Sequence, residues 1–297
     1  MKLRVLCCAM LLAGCQSTAL LPVPAPLAPL AHEHADFGQI YDLASGQAIT
    51  PAQLVKALGQ HSRVLIGEQH DNPDHHAIEL WLIRALAQER QHGSVLLEML
   101  TPQQQARVTE LQAEVRQGRE PEDYLQALAW QRGWDWSQYG PLVRYLTAQP
   151  YPLYAANLDR EQIMQIYQQA PALEGERSTQ AAVQNALREQ IKDSHCSMLP
   201  AEQMASMLAI QQHRDRRMAQ ALLAAEQPAL LVAGAFHVRK DLGAPLHLAD
   251  MGSTDQSAVL IIAQAGKRVD PAMADYVWYS AAIPEQDHCS AWRAKGA

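Results

Sequence analysis

The sequence predicts an α/β fold: a mainly parallel sheet flanked by helices, carrying a smaller, mainly helical insertion. Three observations lead there. Short apolar runs, Val64-Leu65-Ile66, Val95-Leu96-Leu97, Leu230-Leu231-Val232 and Val259-Leu260-Ile261-Ile262, lack polar alternation, the pattern of strands buried on both faces. An amphipathic helical stretch separates the first two, which makes a strand–helix–strand crossover. From 101 to 225 the pattern turns helical, interrupted by one short strand near 152–156. The expected division is therefore an α/β domain over 36–100 and 226–297, with 101–225 inserted.

In chain order, 37–42 reads as a strand or hairpin ending at Ser45-Gly46. Thr50-Pro51 supplies an N-cap and a proline at the first helical position, opening a helix over 51–60. A strand over 63–67 stops at Gly67, and Asp71-Asn72-Pro73-Asp74 brings turn chemistry and a cap for a helix over 75–91. Its stripe is Ile78, Leu82, Ile83, Ala85 and Leu86. In the insertion, Pro102 and Pro121 open helices, Gly133 marks a turn, and further helices fall over 138–148, 160–170, 177–192 and 201–225. Trp130, Trp134 and Trp136 read as core, as do Met204, Met207 and Met218 at helical spacing. Strands at 229–233, 258–263 and 276–279 close the domain.

The amino terminus is a targeting segment. Residues 1–14 have a positive start and an apolar run too short to span a bilayer. The run ends Leu12-Ala13-Gly14-Cys15, which resembles the bacterial lipobox and implies cleavage before a lipidated Cys15. Gln16 rather than Asp follows, which by the same resemblance sorts the protein to the outer membrane, facing the periplasm. Several acyl chains together anchor stably where a single one does not. Residues 15–35, with Pro22, Pro24, Pro26 and Pro29, read as an extended tether, and His32 and His34 after it as solvated side chains.

What remains, roughly 260 residues, suffices for one large domain. The net charge of −7 carries no long single-sign run, which argues against nucleic acid as a partner. Cys7 and Cys8 leave with the signal, so Cys196 and Cys289 remain: two buried thiols, or a disulfide, which an oxidising compartment favours. Cysteine and histidine spacing supports no structural zinc site and no covalent haem attachment.

Function is concentrated where strands end. Glu68 and His70, Glu98, Asn157 and Asp159, and His237 with Arg239 each close an apolar run. Ligands of open α/β sheets bind outside the carboxyl ends of the strands, so these groups are expected to share a cleft. Glu with His is the composition of an acid–base pair or of a metal site.

Gly67-Glu-Gln-His70, Glu98, Gln211-x-x-Arg214-Asp215-x-x-Met218-Ala219, Gly234-x-x-His237 and Asp275-Tyr-Val-Trp278, in that order and behind a lipobox, resemble the ChaN-type lipoproteins over essentially the whole mature chain. That resemblance implies noncovalent haem binding with tyrosine on iron, and a homodimer around two cofacial haems. It also implies service beside an outer-membrane haem or siderophore receptor. His237, Arg239 and Lys240 would then meet the propionates; the sequence does not place the axial tyrosine, for which Tyr276 and Tyr279 near a strand end and Tyr154 inside a strand are candidates. A wider similarity to erythromycin-esterase-like hydrolases and Tiki-type proteases implies an alternative, hydrolysis by Glu68, His70, Glu98, Arg214 and His237.

Overall fold

The computed structural model describes residues 20–254, 257–285, 287, 289 and 290; the signal segment and Cys15 lie outside them. An antiparallel pair, β1 (Ile40–Asp42) and β2 (Gln47–Ile49), flanks six parallel strands. These are β3 (Arg63–Glu68), β4 (Ser94–Leu97), β5 (Leu153–Ala155), β6 (Ala229–Gly234), β7 (Ser257–Gln264) and β8 (Tyr276–Ser280). The order across the sheet is β2-β1-β8-β7-β3-β6-β4-β5. The sheet is thus mixed and mostly parallel, with the central strand β3 between β6 and β7.

Every residue of β3 is buried, and its alternation splits the core in two. Val64 and Ile66 point into one apolar cluster with Leu82, Leu86 and Leu142; Leu65 points into the other with Met218 and Leu222. On the first face lie α1 (Pro51–Gly59), α2 (Pro73–Glu89), α3 (Gln105–Val115), the single turn α4 (Tyr124–Ala127) and α5 (Trp136–Thr147). The remaining helices of the insertion are α6 (Arg160–Gln169), α7 (Ala181–Ser194) and α8 (Met204–Ala224), of which α8 covers the second face.

Local chemistry sets the helix starts. Thr50 makes a full capping box with Gln53 above Pro51. Asn72 accepts from Asp74 N, so α2 starts at Pro73, two residues before the expected point. Residues 101–225 are continuous with the sheet, since they supply β5 to its edge and α8 to its second face. Two short helices, α9 (Ala235–Val238) and α10 (Ala244–Asp250), carry no periodic signal long enough to be expected.

The proline-rich segment departs from a free tether once it reaches residue 20. Trp81 Nε1 donates to Leu21 O (3.0 Å), and Asp74 Oδ1 accepts from Leu27 N and Ala28 N (2.5 and 3.0 Å). Asp74, in the first turn of α2, thereby ties down backbone amides that an extended, proline-interrupted strand leaves unpaired. Cys196 and Cys289 form a disulfide with Cα atoms 5.6 Å apart, joining the end of α7 to the carboxyl terminus. No helix among the described residues is long and apolar enough to cross a membrane.

Candidate functional site

The carboxyl ends of β3, β6 and β7 line one cleft of about 580 Å³. Glu68 is the last residue of β3, Glu98 follows β4, and β6 runs straight into α9, which carries His237. The topology thus gathers residues far apart in the chain into two acid–histidine clusters.

The first centres on His237. Its Nδ1 lies 2.5 Å from Asp215 Oδ1 and its Nε2 3.3 Å from Glu98 Oε1. Glu98 Oε2 accepts from Gly234 N at 2.8 Å. Burial disfavours a charged ring, but the negative charges of Glu98 and Asp215 and their hydrogen bonds override it, pushing the His237 pKa up to about 10. Burial alone would raise Glu98; the charge and bond of His237 hold it down at about 2. Asp215 follows its burial and rises to about 6 despite the same partner. His237 is therefore an imidazolium with a carboxylate at each nitrogen.

The second centres on Glu68, whose Oε1 accepts the Tyr139 hydroxyl (3.0 Å) and a short bond from His70 Nδ1. Burial lowers the His70 pKa, but the bond to Glu68, its charge and that of Glu98 raise it above the ordinary value. The His70 side chain is nevertheless 47% exposed, its ring edge-on to Trp134 at 4.9 Å. Tyr139 is pushed far up by burial and by the charges of Glu68 and Glu79, so it stays a phenol and a donor. Behind His70, His76 Nε2 lies 3.1 Å from His70 O, and His76 Nδ1 lies 3.2 Å from Glu79 Oε2. His75 is kept neutral: burial and the neighbouring His76 charge lower it to about 3, and its Nδ1 accepts from Gln69 N at 2.9 Å.

Glu68, His70 and His237 line the cleft, with Glu98 buried behind His237, and Arg239 lines it too, paired with Asp241 at 2.6 Å. Arg214 does not line it; the next residue of α8, Asp215, turns inward with Gln211 one helical turn before. Tyr154 and Tyr276 are held at the other end of the sheet, Tyr154 by a bond to Glu226 at 2.9 Å and Tyr276 as the first residue of β8. No tyrosine is among the described residues lining the cleft. Asp215, Tyr139, His76 and Glu79 escaped the sequence reading as site residues. The i,i+4 spacing of Gln211 with Asp215 and the i,i+3 spacing of His76 with Glu79 are the signals that could have found three of them.

A mostly parallel sheet whose two Gly-x-x-His turns, Gly67 to His70 and Gly234 to His237, wall one cleft defines a ligand-binding α/β protein. The chain belongs to the family described as haem-binding uptake, Tiki superfamily, ChaN, whose model matches residues 54–248. It is similar to ChaN of Campylobacter jejuni, solved with cofacial haem, at 29% identity and a TM-score of 0.74 over 80% of this chain and 95% of that one. Fainter likeness reaches an erythromycin esterase, EreC, at 13% identity and TM-score 0.44 over 82% of this chain and 81% of that one. The toxin effector domain RRSP of Vibrio vulnificus is similar at 14% identity and TM-score 0.42 over 80% of this chain and 40% of that one. No curated protein matches.

Proposed function

We propose that this protein binds haem noncovalently in the cleft and serves haem and iron acquisition from the periplasmic face of the outer membrane, anchored through Cys15. The observation that carries the reading is the cleft's composition. Ile261, Val269, Met273 and the half-exposed Phe236 give it an apolar wall, and Arg239, Lys267 and Arg268 line it as cations suited to propionates. His70 is the nitrogen ligand it offers to iron. Its Nδ1–H bond to Glu68 fixes the tautomer, leaves Nε2 as the donor atom and raises its basicity.

A tyrosinate ligand, as the family resemblance implies, would have to come from a second copy closing over the mouth. Phe236, 47% exposed, is the apolar surface such a copy would cover. A homodimer around haem is part of this reading, and the receptor that would receive or supply haem is its outer-membrane partner.

Haemin titrated into the delipidated mature protein should bind saturably, and His70→Ala should weaken binding by about 10-fold or more. The absorbance spectrum then separates imidazole-bound iron from a tyrosinate charge-transfer band. Absence of saturable binding would sink the proposal. The anchor has its own test: Cys15→Ser should abolish lipid labelling, and retained labelling would refute it.

The hydrolase alternative has less support. His237 carries its proton already and has both nitrogens engaged by carboxylates, so it is no base for water. Arg214, which that reading needs against developing negative charge, lies off the cleft.

A further inference from the structure

The second cluster contains an unsolved problem of charge. Glu68 and Glu79 are 2% and 0% exposed, and Glu68 Oε2 and Glu79 Oε1 have no hydrogen-bond partner among the described residues. Granting His76 both of its protons does not solve it: one goes to His70 O and the other to Glu79 Oε2. Two buried carboxylate oxygens are still left with no donor among the described residues, and each costs about 1–3 kcal/mol or more if left so. By contrast, the equally buried carboxylates around His237 are bonded to its ring and to Gly234 N.

We propose that Glu68, His76 and Glu79 form a binding site for one divalent transition-metal ion, set behind the wall of the cleft. One ligand atom from each of the three lies within 4.8 Å of the other two. Donors about 2.1 Å from a shared ion stand about 3.4 Å apart in tetrahedral geometry, so the cage must contract by about 1.4 Å at most, which rotations within the two glutamate side chains supply. The surroundings are those of metal ligands. The His70 carbonyl takes His76 Nε2–H, which fixes the tautomer and points the Nδ1 lone pair at the glutamates. The Tyr139 hydroxyl fixes the other oxygen of Glu68. Two carboxylates balance a charge of +2, and His76 Nδ1 releases its proton when the ion binds.

One imidazole with two carboxylates selects Zn(II), Fe(II) or Mn(II) over calcium or magnesium, which take oxygen alone, and over Cu(I), which takes sulfur. The ion would enter through the cleft, since Glu68 lines it. Cysteine and histidine spacing shows no sign of this site, because its ligands come from a strand end and the first turns of the following helix. The proposal stands apart from the haem reading, since it concerns haem-free protein.

The test uses untagged mature protein treated with chelator, titrated with Co(II) and followed by its visible absorption, then challenged with Zn(II). One saturable Co(II) site that Zn(II) displaces is expected. Glu79→Gln, nearly isosteric, and Glu68→Gln should each weaken binding by about 10-fold or more, with circular dichroism and thermal midpoint confirming that they fold. His34→Ala, a surface histidine, should leave binding unchanged. Should a variant not fold, a rise in the wild-type thermal midpoint with Zn(II) that His34→Ala preserves supports the same conclusion. No saturable binding, or binding lost with His34→Ala instead, would overturn it. So would a carboxylic-acid carbonyl band that Zn(II) leaves untouched and Glu79→Gln removes, since a proton would then be filling the gap.

Discussion

The two acid–histidine clusters sit at the carboxyl end of one sheet, and they differ in whether their charges are matched. Around His237 both ring nitrogens meet carboxylates and Glu98 has its second oxygen on Gly234 N. Around Glu68 two carboxylate oxygens lack donors among the described residues, and the histidine in front, His70, is half exposed. The chain explains the difference. β6 passes directly into α9, so His237 is wedged between Glu98 after β4 and Asp215 on α8. β3 passes through residues 69–72 before α2 begins, and that slack leaves His70 at the solvent. Burial with pairing makes a cation that holds the fold; burial without pairing makes a place that wants a ligand.

The sharpest way to break this comparison is to delete each histidine. His237→Ala leaves Glu98 and Asp215 buried without their cation and should cost about 3–5 kcal/mol in chemical denaturation. His70→Ala, at a half-exposed position, should cost about 0.5 kcal/mol or less. Equal losses would mean the clusters are not different in kind. The pH dependence sharpens the point. His237 is raised from 6.5 to about 10, so its contribution is full below pH 6.5 and is lost as pH climbs toward 10. Glu98, held at about 2 from 4.5, contributes above pH 4.5 and loses that contribution as pH falls toward 2. Asp215, raised from 3.8 to about 6, has the opposite sign and favours the fold at low pH. Thermal midpoints of the wild type should therefore fall on the alkaline side, and His237→Ala should flatten that limb.

The closed cluster was also the more legible in sequence. Glu98 and His237 follow short apolar runs without polar alternation, the mark of strands buried on both faces, and so does Glu68. Helix starts at Pro51 and Pro73 follow from proline and cap chemistry, which is local. What could not be read depends on rotation and on tertiary neighbours. Arg214 and Asp215 are adjacent in sequence, but about 100° apart around α8, and only packing decides which faces the cleft. Tyr139 reaches Glu68 from α5, across 71 residues, and no periodicity announces such a meeting. Tyrosines at 154 and 276 lie in strands, as read, but strand membership does not say which end of the sheet a side chain serves.

A substitution at the glycine between the clusters separates them most finely. Gly234 lies between them with φ −55° and ψ 143°, a conformation open to any residue, so glycine is needed there only for space. A Cβ would sit 2.9 Å from His70 Cε1 but 3.5 Å from Glu98 Oε2, an ordinary contact. The side chain that must yield is the half-exposed one, which can rotate into solvent. Gly234→Ala should therefore cost only about 1 kcal/mol, while turning His70 away from Glu68. Its pKa, followed by NMR, should fall toward the ordinary 6.5 as the bond that raises it is lost, with the His237 resonances unmoved. A loss as large as that of His237→Ala would show that His70 is locked in place, and the open cluster would then be as rigid as the closed one.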